Sequence, residues 1–263
     1  MHSSEGSRPD YSGVTETPGT LITREAASMV VSRYELARRL AAGRRVLEVA
    51  CGSGQGLGYL ARDAARVVGG DITASLVAQA RAHYRGRVPL VRFDAHALPF
   101  ADAAFDVVQI HEAIYYMSWP DRVFAECRRV LGPDGVLVLS TINPEWADFN
   151  PSAHATRYLT AAELKASLEQ VFRSVEILFG FPVAARTGRA LGLVSIVKRL
   201  AVRLRLIPKT MRGKTLLKRL FLGPLVRMPA ELAPGIAPLD TPVAASLDAA
   251  PGYRIVYAIA RPR

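Results

Sequence analysis

Cysteine is scarce: the 263 residues hold two, Cys51 and Cys127. Two cysteines rule out a disulfide framework and a thiolate metal cluster, and they fit reduced thiols in a reducing compartment. No apolar run approaches the length needed to cross a bilayer. Residues 1–20 are polar and rich in Ser, Gly, Thr and Pro, without the apolar core of a signal peptide. They are read as a flexible N-terminal arm on a cytoplasmic protein. Acidic residues are missing between Glu176 and Glu231, while Lys and Arg recur from Arg186 to Arg227. Such a block is either a surface that meets something anionic or a solvated helix face. Aromatics are few among these cations and no DNA- or RNA-binding module is recognisable, so nucleic acid is a disfavoured partner. No cluster of metal-ligand residues stands out, and no metal site is expected.

What is present is a chain that is half hydrophobic, long enough for one sizeable α/β domain. Short apolar runs alternate with helical periodicity. The runs are Arg45–Val49, Arg66–Asp71, Leu90–Phe93, Phe105–His111, Gly135–Ile142 and Val175–Phe179, with a last one at Tyr253–Ala260. Helices are predicted over Leu21–Ala42, Leu57–Ala64, Thr73–Tyr84 and Asp121–Val130. Another begins at Thr160, whose spacing to Glu163 is that of a capping box. Continuous apolar runs between helices indicate a parallel sheet covered on both faces, a doubly wound Rossmann-like layer architecture. Residues 21–263 are read as a single domain. Residues 181–251 form an insertion far longer than an ordinary connection. Ala190–Ile207 and Lys214–Leu225 have the pattern of basic amphipathic helices, so a helical lid or cap is expected there.

The chemistry gathers at three strand ends. Glu48 closes the first run and is followed by Gly52, Gly54 and Gly56. Glycines allow tight turns and close approach of the backbone to a ligand. The dinucleotide fingerprint G-x-G-x-x-G would need glycine at position 57, which is Leu57; the spacing here is G-x-G-x-G. An acid beside that loop disfavours a pyrophosphate and suits a cationic ligand such as an amino group. Asp71 ends the second run, where a carboxylate can accept both hydroxyls of a ribose. Asp94-Ala95 ends the third, where a carboxylate and a backbone amide can read an adenine edge. Singly each has an ordinary structural explanation; together they lie where open α/β sheets bind ligands.

The segments Val46–Gly56, Arg66–Asp71, Asp94–Phe100, Phe105–Val108 and Arg129–Leu137 resemble the successive motifs of class I S-adenosylmethionine (SAM)-dependent methyltransferases, most nearly the ubiquinone/menaquinone-biosynthesis-like branch. The resemblance implies a seven-stranded sheet whose last strand is antiparallel. It implies SAM as cofactor and S-adenosylhomocysteine as its product. It assigns Glu48 and the glycine loop to the methionine end, Asp71 to the ribose, and Asp94 and Ala95 to the adenine, with Ala50 and Ile72 also among the cofactor-binding residues. His111 would lie beside the methyl group. Ala50 departs from the glycine of many relatives, a change small enough to leave binding intact.

Methyl transfer to a hydroxyl is helped by a general base. The candidates follow the fourth strand, His111, Glu112, Tyr115 and Tyr116; His111 is the choice, with His154 a second, and Tyr115, Tyr116, Trp146 and Phe149 are candidate walls of the acceptor pocket. Asn143-Pro144-Glu145-Trp146 looks like the box of amino-methylating DNA enzymes but follows the fifth strand rather than the fourth, so DNA methylation is not inferred. The expected function is methylation of a small molecule, at a hydroxyl of a sugar-containing or natural-product intermediate. The alternatives are a membrane-peripheral enzyme acting on a lipid or quinone, with residues 186–227 against an anionic surface, and a SAM-binding regulatory module without catalysis.

Overall fold

The computed structural model describes residues 10–183 and 225–262. Among these, the expected strands form one sheet. β2 (Arg45–Val49), β3 (Arg66–Asp71), β4 (Leu90–Arg92), β5 (Phe105–His111) and β6 (Leu131–Ile142) run parallel. β10 (Tyr253–Arg261) inserts antiparallel between β6 and β7 (Ser174–Pro182), giving the order β4-β3-β2-β5-β6-β10-β7-β9. The eighth member, β9 (Val243–Ala244), is a two-residue edge strand on β7 that extends the expected seven. The Gly132-Pro133-Asp134-Gly135 turn is absorbed into β6, where the register against β5 shifts between Phe105 and Val107.

Two apolar layers sandwich the sheet. One carries α1 (Arg24–Ala41), α2 (Leu57–Leu60) and α3 (Ala74–Tyr84); the other carries α4 (Pro120–Val130) and α5 (Ala161–Glu169). Alternate residues of β5 feed the two layers, Val107 into the first and Val108 and Ile110 into the second, as burial on both faces requires. The capping box at α5 is formed: the Thr160 hydroxyl accepts from the Glu163 amide and the Glu163 carboxylate accepts from the Thr160 amide.

Three expectations are corrected. The first helix begins at Arg24, because Leu21–Thr23 is β1, paired antiparallel with β8 (Leu225–Arg227); Thr23 caps the helix. α2 is one turn, not two. The described end of the insertion, residues 225–252, is not α-helical: it holds β8, β9 and a 3₁₀ turn at Leu247–Gly252. Pro229, Pro234, Pro238 and Pro242 deny it a continuous helical ladder. The Ala190–Ile207 helix, and that of Lys214–Leu225 up to its last residue, fall outside the described residues. From Asp10 onward the N-terminal arm lies against the body of the protein. The Tyr11 amide donates to Thr73 Oγ1, Gln55 Nε2 donates to the Glu16 carbonyl, and Gly19 and Met228 are joined backbone to backbone.

Candidate active site

The C-terminal ends of β2 to β6 open into a cavity of about 510 Å³. Its wall includes Glu48, Ala50, Gly52, Asp71, Ile72, Asp94, Ala95, His111, Tyr115 and Tyr116, so ten of the sequence-derived candidates converge on one space. Gly54 and Gly56 do not line it. Gly54 has φ +81° and packs beneath the loop against Ala80, Leu57 and Tyr84. At Gly56 an added Cβ would come 1.9 Å from Cε1 of Tyr34. That glycine serves the ligand indirectly, by admitting the Tyr34 ring.

Tyr34 then reaches Glu48, its hydroxyl donating to Oε1 at 2.5 Å. Glu48 is sealed from solvent, and its Oε2 has no hydrogen-bond partner. Burial raises its carboxyl to about 7, although the Tyr34 hydroxyl, the facing Gln109 side chain and the Arg33 charge pull the other way. Gln109, paired with Glu48 in the β2–β5 register, is equally buried, and its Nε2 faces that carboxylate without closing to hydrogen-bond geometry. Asp71 receives the Gly52 amide on Oδ2 at 2.9 Å and the Thr73 amide on Oδ1 at 2.8 Å. It thus fixes the glycine loop to β3 while keeping lone pairs for a ligand hydroxyl. Asp94 is more exposed. Burial raises its pKa, but the His96 amide and ring, at 2.9 and 2.6 Å, hold the carboxyl below its ordinary value.

His111 ends β5, buried, with its ring edge-on to Tyr34 at 5.2 Å. Its Nε2 lies 3.3 Å from Gln109 Oε1 and its Nδ1 2.9 Å from Ser140 Oγ. An amide oxygen only accepts, so the proton sits on Nε2, and Nδ1 accepts from the Ser140 hydroxyl. Burial, with the Arg33 charge nearby, holds the imidazole well below its ordinary pKa. It is neutral and both nitrogens are engaged.

The structure separates the remaining candidates from this space. His154 lies on an exposed loop. Trp146 is covered by the Arg254 guanidinium, 5.1 Å from its centroid, and Phe149 packs edge-on to Tyr158 at 4.7 Å. Asn143 is a clamp: its side-chain amide donates to the carbonyls of Ala250 and Tyr253. In their place the cavity is walled by Glu112, which the sequence places after the same strand as His111, and by Tyr11, Arg33, Tyr34 and Trp119, which sequence reasoning missed. Glu112 carries a signal visible only in the backbone, a left-handed φ of 50°. Among the described residues no group of three or more His, Cys, Asp or Glu could hold a metal ion.

These features fit SAM. A buried carboxylate with one free oxygen suits a cationic ammonium or sulfonium, and the acids of β2, β3 and after β4 follow one another along the sheet on one cavity, as the resemblance led one to expect. The comparisons agree. Residues 47–139 match the family model described as a methyltransferase domain. The chain is 38% identical over 153 residues to a probable S-adenosylmethionine-dependent methyltransferase of Mycolicibacterium smegmatis, covering 56% of this chain and 58% of that one. It is 31% identical over 150 residues to a malonyl-[acyl-carrier protein] O-methyltransferase of Legionella pneumophila, covering 52% of each. The chain thus spans little more than half the length of these curated relatives. A Thermotoga maritima structure described as a possible histamine N-methyltransferase shares the fold, with 13% identity, 90% of each chain covered and a TM-score of 0.58.

Proposed function

Because the chain carries a class I SAM-dependent methyltransferase domain, we propose that it transfers the methyl group of SAM to an oxygen of a small-molecule acceptor. The observation that carries this reading is the alignment of Glu48, Asp71 and Asp94 at three successive strand ends around one cavity. When bound, SAM supplies an electrophilic methyl on a sulfonium. The chain's own residues bind, align and dehydrate. Glu48, held by Tyr34, receives positive charge; Asp71 and Asp94 fix the nucleoside; Tyr11, Tyr115 and Tyr116 wall the cavity against water, which in-line transfer requires. The relative from Legionella pneumophila is named an O-methyltransferase, which favours oxygen here.

His111 is better suited to positioning than to base catalysis. Its hydrogen bonds to Gln109 and Ser140 lock the ring, and its lowered pKa weakens it as a proton acceptor. A lipid acceptor is the second reading, favoured by the cations from Arg186 to Arg227; no helix among the described residues is long and apolar enough to cross a membrane. The test is to incubate the protein with methyl-labelled SAM and an extract of the source cells lacking it. Label in aqueous small molecules supports the first reading, and label in lipid the second. Label in neither, or only in macromolecules, removes both.

A further inference from the structure

Arg33 lines the cavity from α1; its guanidinium stands 5.7 Å from the Tyr34 ring centroid and, among the described residues, makes no hydrogen bond and no ion pair. Its Nε is shut off from solvent without a partner. Burial works against its charge, but Tyr34, Glu112 and Glu16 around it keep it protonated. The carboxylate that follows β5 does not neutralise it directly. Glu112 Oε2 is turned to the Ile142 amide at 3.2 Å and the Tyr115 hydroxyl at 3.4 Å. A half-buried guanidinium whose Nε is left this way is costly unless a ligand completes it.

Its position tells which ligand. Along the sheet the acids Asp94, Asp71 and Glu48 occupy the ends of β4, β3 and β2, the length of the cofactor. Arg33 stands where that stretch ends: its charge is felt by Glu48 and His111 on one side and by Glu112 after β5 and Tyr257 of β10 on the other, with Ile142 of β6 in the same wall. The cavity continues past Glu48 on that side, where an acceptor would meet the methyl group.

Resting on the methyltransferase reading above, we propose that the acceptor is a carboxylate, held by Arg33 and converted to its methyl ester. One carboxylate oxygen forms a bond to the methyl carbon as the carbon–sulfur bond breaks, its electron pair leaving on sulfur. An anion and a sulfonium become two neutral groups, a change that a dry cavity favours. No proton is released and no base is required. The site matches this requirement: both nitrogens of His111, the histidine at that end, are already engaged. A guanidinium reads a carboxylate through two parallel hydrogen bonds, which a hydroxyl acceptor cannot return.

The same guanidinium chemistry would hold the carboxylate of SAM itself, so the experiment separates the two sources. Wild-type protein is incubated with methyl-labelled SAM and a small-molecule extract, and the product is treated with mild alkali. Methyl esters release volatile labelled methanol; ethers, amines and C-methyl groups keep their label. Most of the transferred label is expected in the volatile fraction, and label that survives alkali overturns the carboxylate assignment while leaving methyl transfer intact. In parallel, at pH 8, above the Glu48 carboxyl that the Arg33 charge helps to ionise, R33Q is expected to lose roughly 10- to 150-fold in turnover at limiting acceptor, with calorimetric affinity for SAM within twofold of wild type and partial rescue by R33K. Weakening of SAM binding in step with turnover would assign Arg33 to the cofactor's carboxylate and overturn the proposal. A wild-type protein that binds no SAM would remove the reading on which it rests.

Discussion

The Tyr34 hydroxyl donates to Glu48 at 2.5 Å across space left open by the missing side chain of residue 56. One tyrosine therefore ties α1, the glycine loop and β2 together beneath the cavity. A methyl at position 56 would overlap the ring, so G56A must displace it. Overpacking of this kind costs about 1–3 kcal/mol. Thermal denaturation should show a melting temperature several degrees lower, with SAM affinity falling as well. An unchanged melting temperature and affinity would mean that the ring is free to move and that the contact is incidental.

The raised carboxyl of Glu48 gives SAM binding a pH dependence of definite sign. A cationic ligand prefers the ionised form, so affinity should rise as pH increases through about 7. If only the ionised form binds, the gain between pH 6 and pH 8 is about tenfold. Folding runs the other way. The folded pKa lies above the ordinary value of 4.5, so this group's contribution is most favourable below about 4.5 and is lost as pH rises towards 7. Calorimetry across this range should show the slope in wild type and a flat profile in E48Q. A slope that persists in E48Q would assign it to another group.

The capping box offers a control remote from the cavity. T160A removes the hydroxyl that accepts from the Glu163 amide, at a cost of about 1 kcal/mol. Denaturant unfolding should show this loss while SAM affinity and turnover stay at wild-type values. Loss of SAM affinity would couple α5 to the site in a way that its packing does not suggest.

The architecture was legible because β2, β3 and β5 are continuous apolar runs closed by punctuating residues, and because Glu48, Asp71 and Asp94 each end or follow a strand. The glycine spacing separated this loop from a dinucleotide site, yet it could not say that Gly56 faces Tyr34 rather than the ligand. Tyr34 sits in a helical apolar pattern and reads as core, and Arg33 beside it reads as surface; their roles depend on how α1 packs over β2 and β5. Trp146 and Phe149 were expected in the acceptor wall from sequence proximity to β6. The chain turns away after Asn143, whose amide clamps it to β10. The β1–β8 pairing joins residues about two hundred positions apart, a contact that no local pattern encodes.

Asp71 gives the most direct test that this cavity is a SAM site. Its carboxylate anchors the Gly52 and Thr73 amides and faces the cavity where the ribose is expected. SAM titrated calorimetrically into wild type should bind at one equivalent, and D71A should bind it at least about tenfold more weakly, a difference of roughly 1.4 kcal/mol. No binding to wild type, or equal affinity in a folded D71A, would contradict the assignment of the cavity to SAM.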